Sequence, residues 1–114
     1  MQELLKEYRE HAVEHGEQTV AGNSVATNKA HDQLLKTLKS LCEAGADSEI
    51  LSLLEDENAS VRLWAGAHSL EVDEARAMAA LNKLATAGVP IVSMSARYTV
   101  QGWQSGELRV RQSL

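Results

Sequence analysis

Apolar and polar residues alternate along most of the chain with the three- and four-residue spacing of helices. From Gln2 to His15, Leu4, Leu5, Tyr8, Ala12 and Val13 share one side, with Glu3, Glu7, Glu10 and Glu14 on the other. This predicts a first amphipathic helix ended by Gly16, with 17–22 as a short polar connection. A second helix is expected from a cap at Asn23 or Ser24 to Ala44, just before Gly45. Its stripe is Ala30, Leu34, Leu35, Leu38, Leu41 and Cys42. Asp47 caps a short third helix carrying Ile50, Leu51, Leu53 and Leu54, which stops in the polar cluster 55–58. Asn58 or Ser60 caps a fourth, whose inner side is Val61, Trp64, Ala65, His68 and Leu70. Asp73 opens a fifth, with Ala77, Met78, Leu81, Leu84 and Ala85 inward and Gly88 as its stop. Pro90 fits the first turn of a sixth, where its missing N–H is not needed, and Ile91, Met94, Ser95, Tyr98 and Gly102 follow. Beyond Trp103 the sequence turns polar and basic, and the alternation over 108–111 is too brief for a strand.

The segment 50–70 echoes thirty residues later in 80–100. Leu51 aligns with Leu81, Leu54 with Leu84, Val61 with Ile91, Ala65 with Ser95, His68 with Tyr98 and Leu70 with Val100. The repeating unit is then a helix, a tight turn and a second helix. One such pair cannot bury its apolar face alone, so units stack. The expected fold is all-α: a short right-handed αα-superhelix of about six helices in three antiparallel pairs. It forms a single helical-repeat domain over 1–104 and leaves a polar tail over 105–114.

The stretch ILSLLEDENASVRLWAGAHSL (50–70) resembles a HEAT repeat, with Asp56 in the acidic turn and Val61 and Arg62 opening the second helix. More specifically, the chain is similar to a small bacterial family known as domain of unknown function number twenty-nineteen. The similarity rests on Asn28, on VRLWAGAHSL (61–70) with the acidic helix start at Asp73, and on Ala96 through Gly102, Trp103 and Gly106. It implies a HEAT/armadillo-like superhelix and no known activity, and it implies that Arg62 bonds to the turn around Asp56. Gly66 departs from the pattern, since such helices usually carry Ala there. Glycine inside a helix costs about 1 kcal/mol, so either a neighbouring helix approaches closely or this helix is locally weak.

Composition narrows the class further. The 114 residues suit one core and leave little room for an interdomain active site. There is no Phe and one Pro, and aromatic residues are 4% of the chain, which removes the usual strand fillers. A formal charge of -5 argues against general nucleic-acid binding. One Cys permits no internal disulfide, no run is long enough to span a bilayer, and the acidic amphipathic start is unlike a signal peptide. A cytoplasmic location is expected. The charge is also uneven: nine acidic residues stand against Arg62 alone from Glu43 to Glu74, and five basic residues against Glu107 from Ala75 to Leu114.

No motif carries recognisable chemistry. His11 and His15 have the i,i+4 spacing of zinc-binding helices, but Ala12 stands where the catalytic Glu would be and no third ligand is evident, so a solvated face is favoured. His31 and His68 are isolated in sequence, and packing is favoured for His68. Cys42 lies on the apolar stripe without an assignable base. The pairs Asp56/Glu57 and Asp73/Glu74 fall at helix ends, where turn and dipole roles prevail. Trp64 is favoured as core, whereas core and interface weigh evenly for Trp103. Asn28, Arg62, Arg97 and Trp103 form the candidate protein-binding set, because second helices line the concave face of a solenoid. The expected function is non-catalytic protein binding with no cofactor, in a monomer or weak homo-oligomer. Its sharper form is an immunity or antitoxin role masking a basic nuclease. The alternatives are an enzyme or enzyme accessory and a self-associating structural module.

Overall fold

The computed structural model describes residues 2–108, and among these there are five α-helices, one 3-10 helix and no strand. The helices are α1 (Gln2–Ala21), α2 (Ser24–Glu43), α3 (Ala59–His68), α4 (Glu74–Ala85) and α5 (Val92–Gln104), with the 3-10 helix at Asp47–Leu53 between α2 and α3. The chain divides into two compact units, Met1–Glu49 and Ile50–Leu114. The expected tail over 105–114 lies outside the described residues from 109 onward, as does the alternation beyond Leu108.

The first unit is built on an αα-hairpin. Helix α1 does not stop at Gly16 but continues to Ala21, so the expected connection over 17–22 is mostly helix. The stop is Gly22, whose φ of 74° is open to glycine and strained for other residues. The Gly22 N–H donates to the Thr19 carbonyl and the Asn23 N–H to the Gln18 carbonyl, which together close a Schellman motif. Asn23 then caps α2, its side chain accepting from the Ala26 N–H at 3.1 Å. Within α1, the cost of Gly16 is offset by bonds that bridge it, Gln18 to Glu14 and Thr19 Oγ1 to the His15 carbonyl. Two twenty-residue helices joined by so tight a turn pack antiparallel along their length. They bury Tyr8 and Ala12 from α1, and Ala30, Leu34, Thr37, Leu38 and Leu41 from α2. Burial raises the Tyr8 hydroxyl pKa well above its ordinary value, keeping it neutral.

In the second unit α3, α4 and α5 each pack on the other two. Their shared core is Leu70, Ala77, Leu81, Leu84, Ala85, Ala96 and Val100, with Leu63, Met78, Val92, Trp103 and Leu108 packed against it. Asn58 is the cap of α3, accepting from the Val61 N–H at 3.1 Å, and Asp73 caps α4 by accepting from the Arg76 N–H. Both are the short polar side chains that satisfy orphan N–H groups at helix starts.

Helix α5 departs from its predicted face. Ile91, Met94 and Tyr98 are 44%, 45% and 64% exposed, and the buried residues are Ser93, Ala96 and Val100. The thirty-residue echo pairs Ile91 with Val61 and Tyr98 with His68, yet both α3 residues are buried. The cause is local. Pro90 does not enter the helix: its carbonyl accepts from the Val92 N–H at 2.7 Å, Ile91 sits in the tight turn so formed, and α5 starts at Val92. Ser93 and Ala96, with Val100, then supply the buried stripe, and Met94 and Tyr98 point outward.

Candidate functional site

The acidic turn after the 3-10 helix and the first turns of α3 frame a cleft with the outer face of α4. Leu54, Glu55, Arg62, Arg76, Ala79, Ala80, Lys83 and Leu84 line it, and its volume is about 470 Å3, within the range of small-ligand pockets. Arg76, Ala79, Ala80 and Lys83 recur at helical spacing along α4, so their side chains share one face. Arg62 comes from α3, and Glu55 and Leu54 from the turn that precedes it.

The expected bond between Arg62 and the Asp56 turn is not made. Asp56 Oδ1 instead accepts from the Asn58 N–H at 2.9 Å, closing the turn locally. Arg62 is half-buried and its Nε is enclosed without a hydrogen-bond partner. Among the described residues, no carboxylate pairs with Arg62, Arg76 or Lys83. Three cations thus face one cleft beside a single carboxylate, Glu55, in a chain whose net charge is -5.

The other candidate residues are placed differently. Arg97 donates from Nη1 to the Ala85 carbonyl at 3.1 Å, satisfying the C-terminal end of α4. The turn-bonding role expected of Arg62 therefore falls to Arg97. Trp103 is half-buried against the second unit's core, and its Nε1 donates to Glu74 Oε2 near the start of α4. Asn28 is exposed on α2 in the first unit, whereas Arg62, Arg97 and Trp103 belong to the second. Trp64 is half-buried and contacts His68, one turn on, with ring centroids 5.4 Å apart, and His68 itself is buried. Cys42 is half-buried on α2.

Arg76 and Lys83 escape a search for motifs because each looks like an ordinary solvated residue on the polar face of α4. The signal available in sequence was the i,i+7 spacing of the two cations Arg76 and Lys83, in a segment whose basic residues outnumber its acids.

A second cluster arises in the hairpin. His31 is not isolated: its ring centroid lies 6.1 Å from that of His15, the planes tilted by 57°. The two positions are equidistant from Asn23, so antiparallel packing sets them opposite each other. Burial, and secondarily the charge of His31, lowers the His15 pKa from its ordinary 6.5. No group of three or more His, Cys, Asp or Glu side chains among the described residues has the arrangement of a metal site. No helix of the described chain is long and apolar enough to cross a membrane.

Comparison with family models, with curated proteins and with solved structures finds no match to this chain.

Proposed function

We propose that this chain is a non-catalytic protein-binding module and that α5 carries the interface. The observation that supports it is a set of exposed large apolar side chains: Met94 and Tyr98, four apart on α5, and Ile91 in the turn just before the helix. Burying large apolar groups is the main gain in forming a core, so presenting three of them to solvent while Ser93 and Ala96 face inward calls for a reason. Tyr and Met are enriched at the centres of protein interfaces. The occupant is a separate protein with a basic surface. The net charge of -5 steers such a partner at long range and opposes a second copy of this chain. Residues 75–114 are themselves net basic, so the contact at α5 rests on its apolar side chains and not on local charge. Masking a basic catalytic surface, as an immunity protein does, is the form of this function that the charge favours. The resemblance of 61–70 to HEAT-type helices supports a binding role by analogy of fold.

Affinity capture with the wild type and with the pair Met94→Asp and Tyr98→Asp tests this. The expected result is one stoichiometric basic protein retained by the wild type, released at high salt and lost by both variants, whose helicity is unchanged. Retention by the variants overturns the proposal. So does a wild type that dimerises through these side chains in light scattering, which returns the self-associating module. A thermal shift with small molecules and no protein partner returns the enzyme alternative.

A further inference from the structure

We infer that the cleft lined by Arg62, Arg76 and Lys83 binds an organic phosphate monoester. The inference is independent of the protein that α5 engages. It rests on a charge excess, an unsatisfied donor and a volume.

The charge excess sets the ligand's charge. Three cationic side chains and the Glu55 carboxylate leave a formal local charge of about +2. A phosphate monoester carries about -1.5 to -2 at pH 7 and matches it, whereas one carboxylate leaves a cation uncompensated. Arg97, by contrast, is used internally, on the Ala85 carbonyl at the end of α4. In the cleft no described acid pairs with Arg62, Arg76 or Lys83. Like charges gathered around one concavity repel one another, and a bound dianion removes that repulsion.

The unsatisfied donor identifies the central residue. Arg62 Nε is buried with no partner, while the Arg62 side chain lines the cleft. A guanidinium engages phosphate oxygens through paired N–H groups, and a small shift of this side chain toward a bound dianion would give Nε an acceptor. Arg76 and Lys83, exposed on the adjacent helix face, supply the remaining donors.

The volume and the apolar lining leave room for more than a bare ion. About 470 Å3 is far more than one phosphate fills, and Leu54, Ala79, Ala80 and Leu84 form the rest of the wall. The short Ala79 and Ala80 side chains leave space over α4 for an apolar or aromatic body attached to the phosphate. The organic part can be a free small molecule or the side chain of a phosphorylated residue.

Isothermal titration of the full chain with inorganic phosphate, phenyl phosphate and a short phosphotyrosine peptide tests this. Phenyl phosphate is expected to bind saturably at the micromolar to millimolar level and at least about fivefold more tightly than inorganic phosphate. Arg76→Gln and Lys83→Gln, both at exposed positions, should each weaken it by about tenfold with unchanged thermal unfolding, as expected for loss of a charge-assisted hydrogen bond. Arg62→Gln should weaken it by more. Tighter binding of the peptide than of phenyl phosphate assigns the site to phosphorylated protein, and equal or weaker binding assigns it to a small molecule. Equal affinity for phenyl phosphate and inorganic phosphate overturns the organic part of the proposal. No saturable binding of any probe up to about 10 mM, or binding that the Arg76 and Lys83 variants leave unchanged, overturns the site.

Discussion

Gly66 of α3 lies directly beneath Leu81 of α4: a Cβ built on Gly66 would stand 2.8 Å from Leu81 Cδ2 and 2.9 Å from its Cγ. The glycine that breaks the HEAT-type pattern is therefore a close helix approach and not a weak point. Leu81 is fully buried, so it has little room to move aside. Gly66→Ala gains about 1 kcal/mol of helix propensity but overpacks the contact at a cost of about 1–3 kcal/mol. The net expectation is a loss of roughly 1 kcal/mol in denaturant unfolding. In a Leu81→Ala background, which itself costs about 2–5 kcal/mol, the same Gly66→Ala change should become stabilising because the space is free. If Gly66→Ala stabilises the wild type, the close packing is wrong.

Where sequence and structure agree and where they part follows from the range of the physics. Helix existence was legible because periodicity and caps are local: Asn58 and Asp73 hold the N–H groups that their positions announce. The end of α1 was not, because Gly16 and Gly22 look alike in sequence, and only the turn bonds from Gly22 and Asn23 decide between them. The inward face of α5 differs from the one its spacing predicts for a related reason. Large apolar residues mark a core only when the helix phase is known, and the turn at Ile91 resets that phase. The cleft was illegible in a stronger sense. Whether a surface arginine is paired depends on which acids the fold brings near it, and Asp56 spends its oxygen on the Asn58 N–H instead of on Arg62.

Ser93 should be among the least replaceable polar residues of the second unit. It is buried, its Oγ donates to the Leu84 carbonyl at 2.8 Å, and it accepts from the Val89 N–H at 2.9 Å, so one hydroxyl joins the end of α4 to the turn before α5. Ser93→Ala strands the Val89 N–H and leaves the Leu84 carbonyl to the Ala87 N–H at 3.1 Å. A loss of about 2 kcal/mol is expected from the shift in urea midpoint at constant slope. A loss below about 0.5 kcal/mol would mean that water or rearrangement satisfies the Val89 N–H.

Acidification should loosen the hairpin through His15. Its pKa is lowered in the fold, by burial first and by the His31 charge second, while the unfolded chain keeps the ordinary value of 6.5. Below about pH 6.5 the unfolded state therefore takes up protons more readily than the folded one. The stability of the neutral-pH form is present above the unfolded value and is lost as pH falls through the lowered folded value. Urea unfolding at pH 7.5 and pH 5.5 should show the drop, and His15→Gln should flatten it between these two values. His11 and Glu14 flank His15 on α1 and remain in that variant, so a slope that persists unchanged assigns the effect to them or to other groups.

Ile91 combines an unfavourable backbone with an exposed side chain, and one substitution separates the two. Its φ of 67° and ψ of -53° put a β-branched residue in the positive-φ region that favours glycine, at the centre of the Pro90–Val92 turn. Such strain costs about 1–3 kcal/mol, and glycine adopts the same angles without it. Ile91→Gly loses the covered half of the side chain and adds unfolded-state freedom, each about 0.5–1 kcal/mol, against the strain released, so a net gain of up to about 1 kcal/mol is expected in thermal or urea unfolding. No gain would show that the turn relaxes in solution. If the variant is more stable and still captures the partner lost by Tyr98→Asp, the strain serves only to set the phase of α5. If it is more stable and binds more weakly, the isoleucine side chain is kept at the expense of stability because it meets the partner. That outcome would tie the unusual backbone at residue 91 to the exposed apolar set it begins.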